Sequence, residues 1–145
     1  MSGIHDQLAQ AILSTQSDAI LLVDPNGIIR FWNPGATRIF GFTAEEAIGG
    51  PLDLIVPENL RARHNEGFAR TMASGKTRYG AGEILAVPAM TKGGRRISVE
   101  FTIVLLFGDS GRLTGCAAVM RDVTARFEEL RTLRRQLKAA AQPAG

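Results

Sequence analysis

The stretch "DAILLVDPNGIIRFWNPGATRIFGFTAEEAIG", residues 18–49, changes its pattern three times. An apolar run of strand length, 18–24, meets Pro-Asn-Gly at 25–27 and then a second strand-like run at 28–32. That order predicts a hairpin, with Gly27 supplying the positive φ of the turn. Strand character then stops. Pro34 stands near the start of a short helical piece, and in "TAEEAIG" Thr43 and Glu46 have the spacing of a capping box.

Upstream, Ile4, Leu8, Ala11 and Ile12 recur at helical spacing, so residues 3–15 read as a short amphipathic helix. Downstream, "PENLRARHNEGFARTMASG" (57–75) is the longest helical stretch of the middle region, with Pro57 at its start and Gly75 at its end. Period two follows. "EILAVPAM" (83–90) is strand-like, although Pro88 demands an edge position or a bulge. "ISVEFTIVLLF" (97–107) alternates at Ile97, Val99, Phe101, Ile103 and Leu105, and "LTGCAAVMRDV" (113–123) forms a third late strand. Two strands, several short helices and three strands predict an α+β domain: a five-stranded antiparallel sheet with helices packed on one face. The expected organisation is a flanking helix over 1–16, the domain over 17–123, a terminal helix over 124–140 and a tail over 141–145.

The chain has 145 residues, enough for one such domain with a real core. The net charge of +3 has one address: residues 124–145 hold five basic and two acidic side chains, and the rest balances. Basicity confined to a helix reads as a solvated face, so nucleic acid is not an expected partner. No apolar run reaches the roughly 20 residues of a membrane span, so no membrane is expected either. A lone Cys116 and a start without a leader-like pattern fit a cytoplasmic protein. Within "TARFEELRTLRRQLKAA", Val123, Leu130, Leu133 and Leu137 occupy heptad positions a, a, d and a. With Ile4, Leu8 and Ile12 they leave more apolar surface than one core covers, and a homodimer through the terminal helices is expected.

No constellation for catalysis stands out. There is no Ser/His/Asp order and no Cys/His pair at metal spacing, and the Gly-Lys-Thr at 75–77 lacks the upstream glycine of a phosphate loop. An enzyme is therefore not expected. The layout resembles a PAS sensor domain, on the first stretch quoted together with "TKGGRRISVEFTIV" and "GCAAVMRDVTARFEEL". Asn33 and Gly41 stand where that family often has Asn and Gly, and Asp122-Val123-Thr124 resembles the signature that ends its core and launches a signalling helix. The resemblance covers residues 15–138 and implies a PAS fold. It also implies sensing: a small ligand or cofactor between sheet and helices, a signal leaving through the terminal helices, and an effector such as a kinase.

The resemblance extends in part to haem-binding PAS domains of oxygen-sensing histidine kinases. It places His64, within "RARHNEGFAR" (61–70), at the axial-ligand position. It implies Arg70 and Arg78 as partners of haem propionates, and Phe68, Phe101, Ile103, Ala118 and Met120 as apolar lining. The inward parity of the sheet positions follows independently from the alternation in 97–105 and 116–120. Neutral imidazole suits iron, and guanidinium suits a carboxylate. One feature departs from the family: its oxygen-stabilising arginine falls near Glu83 or Ile84, neither of which donates like a guanidinium. Met90 or Met120 could instead supply a sixth ligand. A flavin adduct is not expected, because it needs a reactive cysteine on a helix and Cys116 lies on a strand. His64 as a ligand, His64 as a solvated polar residue beside a small apolar ligand or none, and a ligand-free PAS homodimer acting as an interaction adaptor all stand at this point.

Overall fold

The computed structural model describes residues 3–76 and 84–142. Its elements are α1 (Ile4–Leu13), β1 (Ala19–Val23), β2 (Ile29–Trp32), α2 (Pro34–Phe40), α3 (Ala44–Ala47), α4 (Arg61–Ser74), β3 (Leu85–Met90), β4 (Arg96–Phe107), β5 (Leu113–Asp122) and α5 (Thr124–Ala141). Two 3-10 turns, Leu52–Ile55 and Glu58–Leu60, lie between α3 and α4. The sheet has the order β2-β1-β5-β4-β3 with antiparallel pairing throughout. The expected α+β fold with a five-stranded sheet is the fold observed.

Alternation decides the faces. Ala19, Leu21 and Val23 of β1 stand opposite Met120, Ala118 and Cys116 of β5, which in turn neighbour Phe101, Ile103 and Leu105 of β4. These residues form the inner face. Helices α2 and α3 cover its β1 end with Ala36, Ile39, Phe40 and Ala47, all at most 5% exposed. Burying each large apolar side chain stabilises the fold by about 1.5–3 kcal/mol. Trp32 closes this end: its ring centroid lies 5.7 Å from that of Phe40, and its Nε1 donates to the Phe42 carbonyl at 3.0 Å.

Asn33 ties the same end together. It is 1% exposed, and its Oδ1 accepts from the N–H groups of Ile20 and Ala36 at 2.8 Å each. Its Nδ2 donates to the carbonyls of Thr15 and Asp18. All the hydrogen-bonding sites of the amide that face the protein are used, so a buried polar group is satisfied. Gly35 is required beside it, because a Cβ there would stand 1.9 Å from the Asp18 carbonyl oxygen.

Local signals read from the sequence recur in the geometry. Gly27 has φ 80°, and Thr43 and Glu46 form the reciprocal capping box. Pro88 is accommodated because β3 is an edge strand, paired only with β4. The expected continuous helix over 57–75 is broken: Leu60, at φ −109° and ψ −4°, ends a 3-10 turn and α4 starts only at Arg61. Gly75 closes α4 in the left-handed conformation. The expected start of β3 at residue 83 lies outside the described residues, as do residues 143–145 of the expected tail.

The terminal helices stand off the core. Neither α1 nor α5 contributes a buried residue. At the root of α5 the Val123 N–H donates to the Ser98 carbonyl, and the Ser98 N–H donates to Thr124 Oγ1 at 3.0 Å. The Thr124 N–H donates to Asp122 Oδ1 at 2.9 Å. No described helix is long and apolar enough to cross a membrane.

Candidate functional site

Helix α4 runs along the other end of the inner face. Its half-buried residues are Arg61, His64, Gly67, Phe68, Thr71 and Met72, a spacing of three and four that defines one helix face. Phe68 and Met72 pack against the core cluster together with Phe101, Ile103 and Leu105. The Phe68 ring also sits over the β1–β2 turn, close enough that a Cβ on Gly27 would stand 3.5 Å from it. Yet α4 has fourteen residues and none is fully buried. The sheet positions Phe101, Ile103, Leu105 and Leu85 are likewise only half-buried. The inner face is sealed under α2 and α3 and only partly covered under α4.

His64 stands on this half-buried face, its ring stacked at 16° to that of Phe68 with centroids 6.5 Å apart. Its Nδ1 lies 3.4 Å from Asn65 Oδ1, and Asn65 Nδ2 lies 3.4 Å from Asp53 Oδ2. The other oxygen of Asp53 is buried and has no hydrogen-bond partner among the described residues. Asn65 and Asp53 escaped the sequence reading. Asn65 was legible as the polar neighbour of His64, whereas nothing in the sequence marks Asp53. Met72, one turn beyond Phe68, carried a helical-spacing signal.

The sheet positions expected to line a pocket do come together. Phe101 pairs with Met120, and Ile103 with Ala118, as direct cross-strand neighbours on the inner face. Ala118 and Met120 are 7% exposed, and Phe101 and Ile103 are half-buried beside Phe68. Arg70 stands apart from this group: its side chain is 71% exposed, and its guanidinium lies 4.0 Å from Glu66 on its own helix. Arg78 and Glu83 lie outside the described residues. Ile84 is 64% exposed and Met90 is half-buried. Cys116 is buried on β5, and burial pushes its thiol up to about 11, as befits a small core residue.

A single imidazole on a half-buried helix face, with no competing short hydrogen bond and an apolar wall beside it, is a donor set that fits a haem iron. Among the described residues no group of three or more His, Cys, Asp or Glu could hold a bare metal ion.

An antiparallel 2-1-5-4-3 sheet with short helices on one face and free helices at both ends is the architecture of a sensory module. The chain belongs to the PAS domain family, whose model matches residues 17–125. Its relatives include sensor protein FixL of Bradyrhizobium diazoefficiens, 30% identical over an alignment of 131 residues that covers 85% of this chain and 25% of that protein. Oxygen sensor protein DosP of Escherichia coli is 34% identical over 58 residues, 40% of this chain and 7% of that protein. The chain thus spans a quarter or less of these curated relatives. Among solved structures, the PAS domain of a protein from Colwellia psychrerythraea is 27% identical with a TM-score of 0.69, covering 85% of this chain and 99% of that one.

Proposed function

We propose that this PAS domain is a sensory module that takes a small ligand or cofactor between α4 and the inner face of the sheet, with haem as the sharpest form of the reading. The observation that carries it is the half-covered apolar face under α4, with His64 on the half-buried side of a helix that packs on the core yet contributes no fully buried residue. In this reading His64 is the axial ligand, and Phe68, Phe101, Ile103, Ala118 and Met120 line the ring. When bound, haem supplies an iron centre able to take up a diatomic gas. His64 Nδ1 lies 3.4 Å from the Asn65 amide oxygen, a contact that with Nδ1 protonated would leave Nε2 to hold the group. Arg70, 71% exposed and apart from the lining residues, is assigned to a propionate by the resemblance alone, as is Arg78. The relative named as an oxygen sensor supports the choice of a gas-binding cofactor.

The module works as a homodimer through its terminal helices and passes its signal to an effector such as a kinase, inside the cytoplasm. The half-covered face also suits a small apolar ligand, which is the same site without the metal. Titration with hemin separates the two. A haem site gives a sharp Soret band saturating at about one haem per protomer and shifting with carbon monoxide after reduction. His64→Ala abolishes specific binding, whereas Arg70→Ala weakens it only modestly, since an exposed ion pair is worth little. An unchanged spectrum and stoichiometry in His64→Ala refutes the ligand assignment. Absence of a Soret band in the parent refutes the haem form.

A further inference from the structure

From Leu130 to Ala141, helix α5 carries Arg131, Arg134, Arg135 and Lys138 and no carboxylate. Its two glutamates fall in the turn before, and Glu128 faces the domain, in a cleft it shares with Arg38, Arg95 and Arg121. At 3.6 residues per turn the four cations fall within an arc of about 100°, with Phe127 inside that arc and Leu130 at its edge. Phe127 and Leu130 are 49% and 46% exposed, and with the four cations they line an open hollow of about 540 Å³. None of the four makes an ion pair among the described residues, where the ion pairs are those of Arg30, Arg70, Lys92 and Arg121. Arg131 with Arg135, and Arg134 with Lys138, are like charges at i,i+4, a spacing that weakens a helix in water. A flank that only had to stay solvated gains nothing from this pattern. An anionic partner relieves it.

We infer that this flank docks the domain on an anionic lipid surface, with the four cations at the headgroups and Phe127 and Leu130 at the boundary with the acyl chains. A helix that lies in the interface needs no apolar run of spanning length, so the absence of such a run bears only on crossing. Cations beside half-exposed apolar side chains favour lipid over nucleic acid, which would take up the charge and leave Phe127 and Leu130 in water. The freedom of the cations favours lipid over an acidic protein. Where the fold fixes a guanidinium it braces it, as Arg38 is braced on the carbonyls of Gln16 and Ser17. The α5 cations have no such brace, and a fluid layer of headgroups asks for charge density rather than fixed positions. In the heptad register set by Leu130 and Leu137 at a and Leu133 at d, the four cations occupy b, e and f. The flank lies beside the apolar seam and is open in monomer and dimer alike, so the inference does not depend on the sensory or homodimer reading.

Co-sedimentation of the full chain with vesicles tests this, using phosphatidylcholine alone and phosphatidylcholine with about one third phosphatidylserine. The chain is expected to bind the anionic vesicles, to leave the neutral ones in the supernatant, and to be released as salt is raised. Arg135→Gln and Lys138→Gln each weaken binding about fivefold, the equivalent of about 1 kcal/mol per cation near an anionic surface. Phe127→Ser weakens it severalfold at constant charge. Since α5 contributes no buried residue, these variants keep the core, and unchanged Trp32 fluorescence verifies that. Equal binding to neutral vesicles, no binding to anionic ones, or indifference to both Gln variants overturns the inference. Binding to duplex DNA or polyglutamate without binding to anionic vesicles also overturns it and assigns the flank to that polyanion.

Discussion

Replacing Asn33 by alanine is the most severe test of how this fold is held. The amide caps α2 through the Ala36 N–H, and loss of such a cap costs about 1 kcal/mol. It is also the partner of the buried Ile20 N–H and of the Asp18 carbonyl, and orphaning a buried backbone group costs about 1–3 kcal/mol. The Thr15 carbonyl escapes that fate because it keeps the Gly35 N–H at 3.0 Å. Asp18 is half-buried, so water relieves part of its loss. The sum is a destabilisation of about 3–5 kcal/mol, a large share of the 5–15 kcal/mol typical of a domain. Trp32, the single tryptophan, is 4% exposed and adjacent in sequence, so its fluorescence reports urea unfolding at the right place. With a slope of about 2 kcal/mol per M, the midpoint falls by roughly 1.5–2.5 M. A loss below about 1 kcal/mol refutes the assignment of Asn33 as the knot between β1, α2 and the 15–18 linker.

Asn33→Asp sharpens the same test by its pH dependence. The acceptor oxygen survives, but the second oxygen now faces two carbonyl oxygens where an N–H₂ group donated. Oxygen facing oxygen favours the protonated acid, so the introduced carboxyl has a folded pKa above its unfolded value of about 3.9. The folded variant binds the proton more tightly. Its deficit relative to the parent is therefore smallest below the unfolded pKa and grows as pH rises through it. A difference from the parent that stays constant between acid and neutral pH contradicts this geometry.

Two further outcomes follow from the junctions and the core. Cys116 is held by burial at about 11, so at pH 8 the native thiol reacts with a disulfide reagent at a rate set by opening of the fold, and the rate rises steeply across the urea transition; modification within seconds in buffer contradicts its burial. Asp122→Ala removes the acceptor for the Thr124 N–H and hydroxyl while leaving the Val123–Ser98 bond intact. Amide exchange in 124–138 accelerates several-fold with the sheet unaffected, and unchanged exchange there contradicts the anchoring role.

The sheet was legible because its signal is local and periodic. Residues 97–105 and 116–120 alternate so cleanly that the inner face could be assigned residue by residue, and Pro88 announced the edge strand before any topology was known. The capping box and Gly27 were legible for the same reason, each being a short pattern with one geometric use. Helix α4 was legible as a helix and less so in its start, because the bend at Leu60 depends on how the 3-10 turns pack rather than on any residue preference. The site was half legible. Phe101, Ile103, Ala118 and Met120 follow from parity, whereas Arg70 could not be placed from sequence: the helical register puts it on the exposed face, beside Glu66, and only the packing of α4 shows that. The Asn65–Asp53 contact and the Asp18–Arg121 ion pair join positions separated in the chain, which no local pattern reveals.

The distances along β4 and β5 say how an event under α4 would reach α5. Phe101 and Met120 stand two pairs along the ladder from Val99 and Asp122, on the same face, with Glu100 and Arg121 between them. Asp122 holds the Thr124 N–H, and Ser98, beside Val99, holds both Val123 and Thr124. Under the proposed reading, a ligand between α4 and the sheet would meet Phe101, which is half-buried, before Val99, which is 1% exposed. On the β1 side, Arg121 next to Asp122 is bound to Asp18, whose own carbonyl is held by Asn33. The root of α5 is thus clamped between a rigid end of the core and an adaptable one. Under the proposed reading, the direction of any movement at that root is set by the adaptable end, because Asn33 leaves the other no alternative arrangement of comparable energy.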